Sequence, residues 1–305
     1  MTQLIRVARP QFLITGLALF IFGAIWAVLL GTPFVLTKIL FGYLVLLPAH
    51  LSISFSNDYF DVDVDKYDEH TYFSGGSGVL VDYPELRKPA KRIAIGLILF
   101  SLALGIMFQI IYSFPIWFLG FVLVGNILGW FYSAPPLRLA YRGLGELSML
   151  LSIGLLIPGF GYLVSSGQIN QGGLIFSLPL MLYGLAFILA VEIPDMESDR
   201  LGNKRTWIAR KGRVFGFILI AISLLFASLF FFSFPRLISH SYPIDFRFIG
   251  ALSLLPLCAG CIGLLKRPIE KRSATRVVNI IIVALAVFCI IVDGYLVYMN
   301  LRIMI

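Results

Sequence analysis

Residues 57–65 read Asn-Asp-Tyr-Phe-Asp-Val-Asp-Val-Asp. On a helix, Asn57, Asp61 and Asp65 recur every four residues along one face, and Asp58, three before Asp61, joins them. Like charges at this spacing repel, so the strip costs stability unless a cation neutralises it. A second strip follows the same rule: Glu192, Asp195 and Asp199 share one face. Hard cations take oxygen ligands, and magnesium uses one or two carboxylates together with waters and substrate phosphate oxygens. Two such strips facing each other suit a pair of magnesium ions with a diphosphate between them. Asn57, Asp58, Asp61, Asp65, Glu192, Asp195 and Asp199 are therefore the candidate metal ligands. Asp61, Asp65, Asp195 and Asp199 are the candidate catalytic carboxylates.

A leaving diphosphate carries more charge than the metals cancel, so basic side chains should attend it. Lys66, Lys91 and Arg92 follow the first strip, and Arg200, Lys204 and Arg205 follow the second. Arginine suits bidentate contact with phosphate oxygens. The plainer alternative is that both strips are solvated helix ends; one run alone would leave that alternative level, but two matched runs outweigh it. Asp63, Asp68, Glu69 and Asp82 fall off the strip or beyond it and read as surface charge. Of the three histidines, His50 and His240 are remote, and only His70 lies near the acidic residues.

The elements that carry these strips are apolar. Of 305 residues, 59% are hydrophobic and 13% charged, far from the balance of soluble domains. A bilayer core needs about 20 apolar residues in a helix. Nine such spans are expected, at about 11–31, 34–56, 93–113, 115–132, 146–165, 174–194, 214–234, 246–265 and 277–300. The third and fourth meet at Pro115, where a short turn is expected. The first span lacks a small-x-small cleavage site and reads as a retained helix. The fold expected is thus all-α, a single membrane domain over 1–305.

The charge of +8 could suggest nucleic acid, but its distribution does not. Of 24 Lys and Arg, 20 fall on one side of the spans, and Lys38, Arg236, Arg247 and Arg302 alone on the other. The excess of basic residues marks the cytoplasmic side. The N-terminus and both acidic strips then face the cytoplasm, and the C-terminus lies outside. Cys258 and Cys261 form a C-x-x-C inside an apolar span with no basic partner; they and Cys289 read as packing residues. Asp61 and Asp195 are 134 residues apart, as are Asp65 and Asp199. Each pair ends an even span and precedes a basic loop, which suggests two four-helix units with a ninth helix appended. Transporters also use repeats with sites at their interface, so duplication alone does not decide function.

At these residues the chain resembles the UbiA superfamily of intramembrane prenyltransferases. The first strip matches its N-D-x-x-D-x-x-x-D pattern, and Asp195-Met-Glu-Ser-Asp199 matches its D-x-x-x-D. Gly202-Asn203-Lys204-Arg205-Thr206, Tyr132-Ser133-Ala134-Pro135-Pro136-Leu137-Arg138 and Arg9-Pro10 are similar to further family elements. Many members carry Asn-Asp where this chain has Val191-Glu192. The run Phe73-Ser74-Gly75-Gly76-Ser77-Gly78, with Arg142-Gly143-Leu144-Gly145-Glu146, looks like the menaquinone branch.

The resemblance implies magnesium-dependent transfer of an isoprenoid chain from a prenyl diphosphate to an aromatic acceptor, 1,4-dihydroxy-2-naphthoate in that branch. It implies that Arg9, Asn57, Lys66, Tyr132, Ser133, Arg138, Lys204 and Arg205 bind substrate. Ionising an allylic C–O bond needs charge stabilisation and shelter from water. Phe60, Trp130, Phe131 and Tyr132 are aromatic candidates beside the allylic cation. Other acceptors, 4-hydroxybenzoate or a glyceryl phosphate lipid, stay open. So does a cation-coupled transporter, although acidic residues at span ends rather than mid-membrane disfavour it.

Overall fold

The structure, a computed structural model, describes residues 2–68, 73–237 and 242–304. Glu69, His70 and His240 therefore lie outside the described residues. The elements are helical throughout, with no strand among the described residues. We number the principal helices α1 (Pro10–Leu29), α2 (Leu36–Asp65), α3 (Arg87–Ile111), α4 (Trp117–Phe131) and α5 (Gly145–Ser166). They continue with α6 (Ser177–Leu201), α7 (Arg213–Leu237), α8 (Phe246–Lys266) and α9 (Lys271–Met304).

Among the described residues, eight of these are long and apolar enough to cross a bilayer. The exception is α4, apolar but only 15 residues long, or about 22 Å at 1.5 Å per residue. That is less than the roughly 30 Å hydrocarbon core. Large apolar side chains such as Ile110, Ile116 and Leu265 are exposed along these helices, as expected of surfaces solvated by lipid rather than water. The chain is an integral membrane protein.

The chain forms two compact units, and neither follows the halves suggested by the 134-residue spacing. The first holds Met1–Leu17, Leu36–Ser148 and Asp195–Arg210. The second holds Ala18–Val35, Met149–Pro194 and Lys211–Ile305. Both acidic motifs, except Glu192, belong to the first unit.

Within the first unit, α2 is the central element. Ser101 on α3 donates to the Val45 carbonyl at 2.8 Å, and Asn126 on α4 donates to Ser101 at 3.3 Å. These bonds satisfy polar groups inside an apolar packing, where each unpaired group would be costly. Phe108 anchors the opposite end, with Tyr112, Phe114 and Phe118 at ring separations of 4.7 to 5.1 Å. The second unit is packed by aromatic rings. Phe176 meets Phe22 and Trp26 edge-on at 4.9 Å each, and the Trp26 indole donates to the Gly172 carbonyl at 2.7 Å. Cys258 and Cys261 are exposed on α8 rather than packed inside, and all three cysteines are free.

Candidate active site

α2 does not end where its apolar stretch ends. It runs on through the acidic strip to Asp65, so Asn57, Asp58, Asp61 and Asp65 are held on continuous helix. Asp58 and Asp61 are buried, 3% and 5% exposed. Asp63 points away: its side chain is 92% exposed and pairs with Lys66 at 3.5 Å, one turn along. The Lys66 ammonium also lies over the Tyr67 ring. Lys66 is thus placed off the strip, engaged with the one aspartate that does not belong to it.

The second motif ends α6 in the same manner. The Gly202 and Lys204 amides close the helix end onto the Ser198 and Asp199 carbonyls, each at 2.8 Å. Asn203 takes a left-handed φ of 57° to make the turn, a conformation asparagine tolerates. Gly202 sits against Val64, and a β-carbon there would overlap the valine side chain. This close approach sets the end of α6 directly on the acidic end of α2.

One cation joins the two motifs. The Lys204 ammonium lies 3.2 Å from Asp61 Oδ2 and 3.9 Å from Asp199 Oδ1. Burial alone would lower its pKa, but Asp61 and Asp199, with Tyr132 and Tyr141, outweigh it and hold the lysine well above its ordinary value. Hydroxyls orient the same carboxylates. Ser133 donates to Asp61 Oδ2 at 3.0 Å, and Tyr141 donates to Asp61 Oδ1 at 2.9 Å. Burial, reinforced by Asp61, raises the Tyr141 pKa, so the phenol keeps its proton. Thr206 donates to Asp199 Oδ2 at 3.0 Å and accepts from the Ala209 amide at 3.1 Å, capping the short helix Trp207–Lys211.

The glycine run crosses between the strips. The Gly75 amide donates to Asp195 Oδ2 at 3.0 Å, while the Ser77 hydroxyl and amide both donate to Asp58. Gly76, at φ 61°, lies so close to the Asp65 carboxylate that a β-carbon would overlap it. Glycine is needed here for conformation and for room.

Two buried oxygens of the motifs are left without a partner. Asn57 Oδ1 and Asp195 Oδ1 are buried and accept no hydrogen bond. Asp68 lies within electrostatic and hydrogen-bonding reach of Asp195 although both are carboxyl groups. Asp68, read from sequence as surface charge, thus belongs with the second motif. Among the described residues no three carboxylate, imidazole or thiol groups converge on a single point. A magnesium ion held here would draw the rest of its shell from water and phosphate oxygens. Glu192 is buried on α6 within the second unit.

Arg9, in a left-handed turn before α1, stacks on Phe12 at 4.6 Å, and its charge acts on Asp58 and Asp65. Arg138 is exposed, with its guanidinium 4.1 Å over the Tyr141 ring. Arg205 is exposed beside Tyr141 in a recess shared with Arg142 and Arg210. Of the aromatic candidates, Phe60 and Trp130 pair edge-to-face at 5.4 Å. Tyr141, Ser77, Thr206 and Asp68 were not singled out from sequence. Ser77 and Thr206 stand inside the segments carrying the family resemblance, which is the signal that could have found them; Tyr141 falls between two of those segments.

Fold and site together define a class: a polytopic α-helical membrane protein with paired acidic motifs gathered around a lysine. The family model described as UbiA prenyltransferase family matches residues 16–280, and the chain belongs to that family. It is 26% identical over 136 residues to a 1,4-dihydroxy-2-naphthoate octaprenyltransferase of Bacillus subtilis, covering 45% of this chain and 44% of the relative. It is 28% identical over 179 residues to human UbiA prenyltransferase domain-containing protein 1, covering 57% and 50%. These matches span half or less of each relative's length. A UbiA homolog from Archaeoglobus fulgidus, solved bound to DMAPP and Mg2+, superposes with a TM-score of 0.65 at 15% identity. It covers 96% of this chain and 99% of that one.

Proposed function

We propose that this chain, acting as one catalytic domain over residues 1–305, transfers an isoprenoid chain from a prenyl diphosphate to an aromatic acceptor. The acceptor we favour is 1,4-dihydroxy-2-naphthoate. The observation that carries the reading is the Lys204 ammonium lying between Asp61 and Asp199. Carboxylates from both motifs share one cation, so the two motifs meet at a single charged centre. The name of the Bacillus subtilis relative supports the acceptor.

In this reading Asn57, Asp58, Asp61, Asp65, Asp195 and Asp199 hold magnesium, with Asp68 as a neighbouring carboxylate. Bound magnesium supplies Lewis-acid stabilisation of the charge developing on the diphosphate. The chain's own groups do the rest. Ser133, Tyr141 and Thr206 fix the carboxylates in place, and preorganised groups need no reorganisation as charge develops. Lys204, Arg9 and Arg138 add positive potential, and Tyr132 stands beside Lys204. The allylic C–O bond breaks with its electron pair leaving on the diphosphate. A carbon–carbon bond forms to the acceptor ring, and the ring gives up its proton. Membrane helices keep water from the allylic cation. The one-sided distribution of Lys and Arg supports a cytoplasmic site and N-terminus, with the C-terminus outside.

The test supplies full-length protein with one labelled prenyl diphosphate and, separately, 1,4-dihydroxy-2-naphthoate, 4-hydroxybenzoate and a glyceryl phosphate lipid. Labelled naphthoate product is expected. Product from another acceptor alone would overturn the acceptor assignment, and none from any acceptor would overturn the transferase reading.

A further inference from the structure

The recess beside the acidic site has a chemistry of its own. Tyr141, Arg142, Arg205 and Arg210 line a solvent-open hollow of about 430 Å³. The three arginines are exposed, and none has a carboxylate partner among the described residues. Its frame is fixed. The Trp207 indole donates to the Gly143 carbonyl at 3.0 Å, the Trp207 amide donates to the buried Glu146 carboxylate, and Arg142 donates to the Pro136 carbonyl at 2.8 Å. A fourth guanidinium, Arg138, sits on the Tyr141 ring at the rim. The Tyr141 hydroxyl is committed to Asp61, so one side chain forms both a wall of the recess and a support of the metal-binding strip.

We propose that this recess is a binding site for inorganic diphosphate, the exit station for the leaving group; this rests on the transferase reading above. Prenyl donor and prenylated product are lipids that partition into the bilayer. The released diphosphate is a water-soluble polyanion and must leave toward water. Among the described residues no carboxylate lines the recess to hold a metal or repel the anion. Three guanidinium groups match a trianion far better than the single charge of a carboxylate, and their forked donors suit phosphate oxygens. Tyr141 is the one aromatic surface offered, too little to bury a fused ring system.

The test is equilibrium binding of radiolabelled inorganic diphosphate to the detergent-solubilised full chain, in excess chelator so that the acidic strips have no metal to work through. Wild-type protein should bind saturably. The Arg142→Gln/Arg205→Gln/Arg210→Gln variant should bind on the order of 10- to 100-fold more weakly. Asp61→Asn should bind at least as well as wild type, because the recess holds its own cations. Equal binding by the triple variant, or loss of binding in Asp61→Asn, would overturn the proposal. So would displacement by phosphatidylglycerol vesicles but not phosphatidylcholine vesicles, which would mark a lipid-headgroup site. Displacement by benzoate as effectively as by diphosphate would mark a carboxylate site and overturn it too. Should the triple variant not fold, Arg142→Gln and Arg210→Gln decide singly: each should weaken binding several-fold, and no change in either refutes the assignment. Because no turnover is needed, this outcome is separate from whether any acceptor is prenylated.

Discussion

The two acidic motifs share a D-x-x-x-D spacing, yet the structure equips them differently. The first, on α2, is held by side-chain hydroxyls from two separate connections: Ser77 on Asp58, and Ser133 and Tyr141 on Asp61. The second, on α6, is held from both sources: the Gly75 amide, 120 residues away, bonds Asp195, while sequence neighbours serve Asp199. Thr206, seven residues on, bonds Asp199, and Lys204 closes the helix end while reaching across to Asp61. The first motif takes its hydroxyl donors from elsewhere in the chain; the second adds a local threonine donor and brings its own cation. A buried carboxylate needs donors wherever it sits. Duplication can supply the carboxylates, but each copy must recruit donors from whatever surrounds it.

The strongest way to break this comparison is to remove a carboxylate from each side. Asp61→Asn and Asp195→Asn are each expected to reduce prenyl transfer by on the order of a thousandfold, while the protein still inserts and elutes as wild type. A large loss in only one would show that the motifs do not act as one site. Next in size is Lys204→Met. Two neighbouring carboxylates lose their shared ammonium, at an expected cost of about 2 kcal/mol in thermal unfolding without magnesium. The figure is below that of a fully buried pair because the lysine side chain is 16% exposed. Saturating magnesium should narrow the difference.

Tyr141→Phe tests the tertiary donors of the first motif. It deletes one hydrogen bond to Asp61 and should lower transfer about tenfold, with little change in prenyl diphosphate KM. The smallest effect is expected from Thr206→Ala, which removes a helix cap and one bond to Asp199. We expect about 1 kcal/mol in stability, read by the same unfolding measurement. A Thr206→Ala effect on transfer exceeding that of Tyr141→Phe would reverse the asymmetry.

Much of this was legible because bilayers impose long apolar runs and because four-residue spacing keeps Asp61 and Asp65 on one helical face. Eight spans followed from that rule; α4 is shorter than its apolar run because the helix stops at Phe131, and the chain turns toward the Pro135-Pro136 segment. The pairing of Asp63 with Lys66 obeys the i, i+3 rule, which competes with assigning Lys66 to the diphosphate. Asp68 escaped notice because it lies beyond the end of α2, where helical periodicity no longer says which way a side chain faces. Tyr141 and Ser77 reach the site through loops, and their donors cross 80 and 19 residues of sequence. The division into units was hidden for a related reason. Spacing reports duplication, but packing cut α1 at Leu17 and α6 at Pro194.

The central claim is that two motifs form one metal–diphosphate site. Calorimetric titration with a non-reactive prenyl thiodiphosphate, with and without magnesium, tests it most directly. The account requires that magnesium tighten binding in wild type and that this gain vanish alike in Asp61→Asn and Asp195→Asn. A magnesium-promoted gain that survives intact in either variant would contradict it.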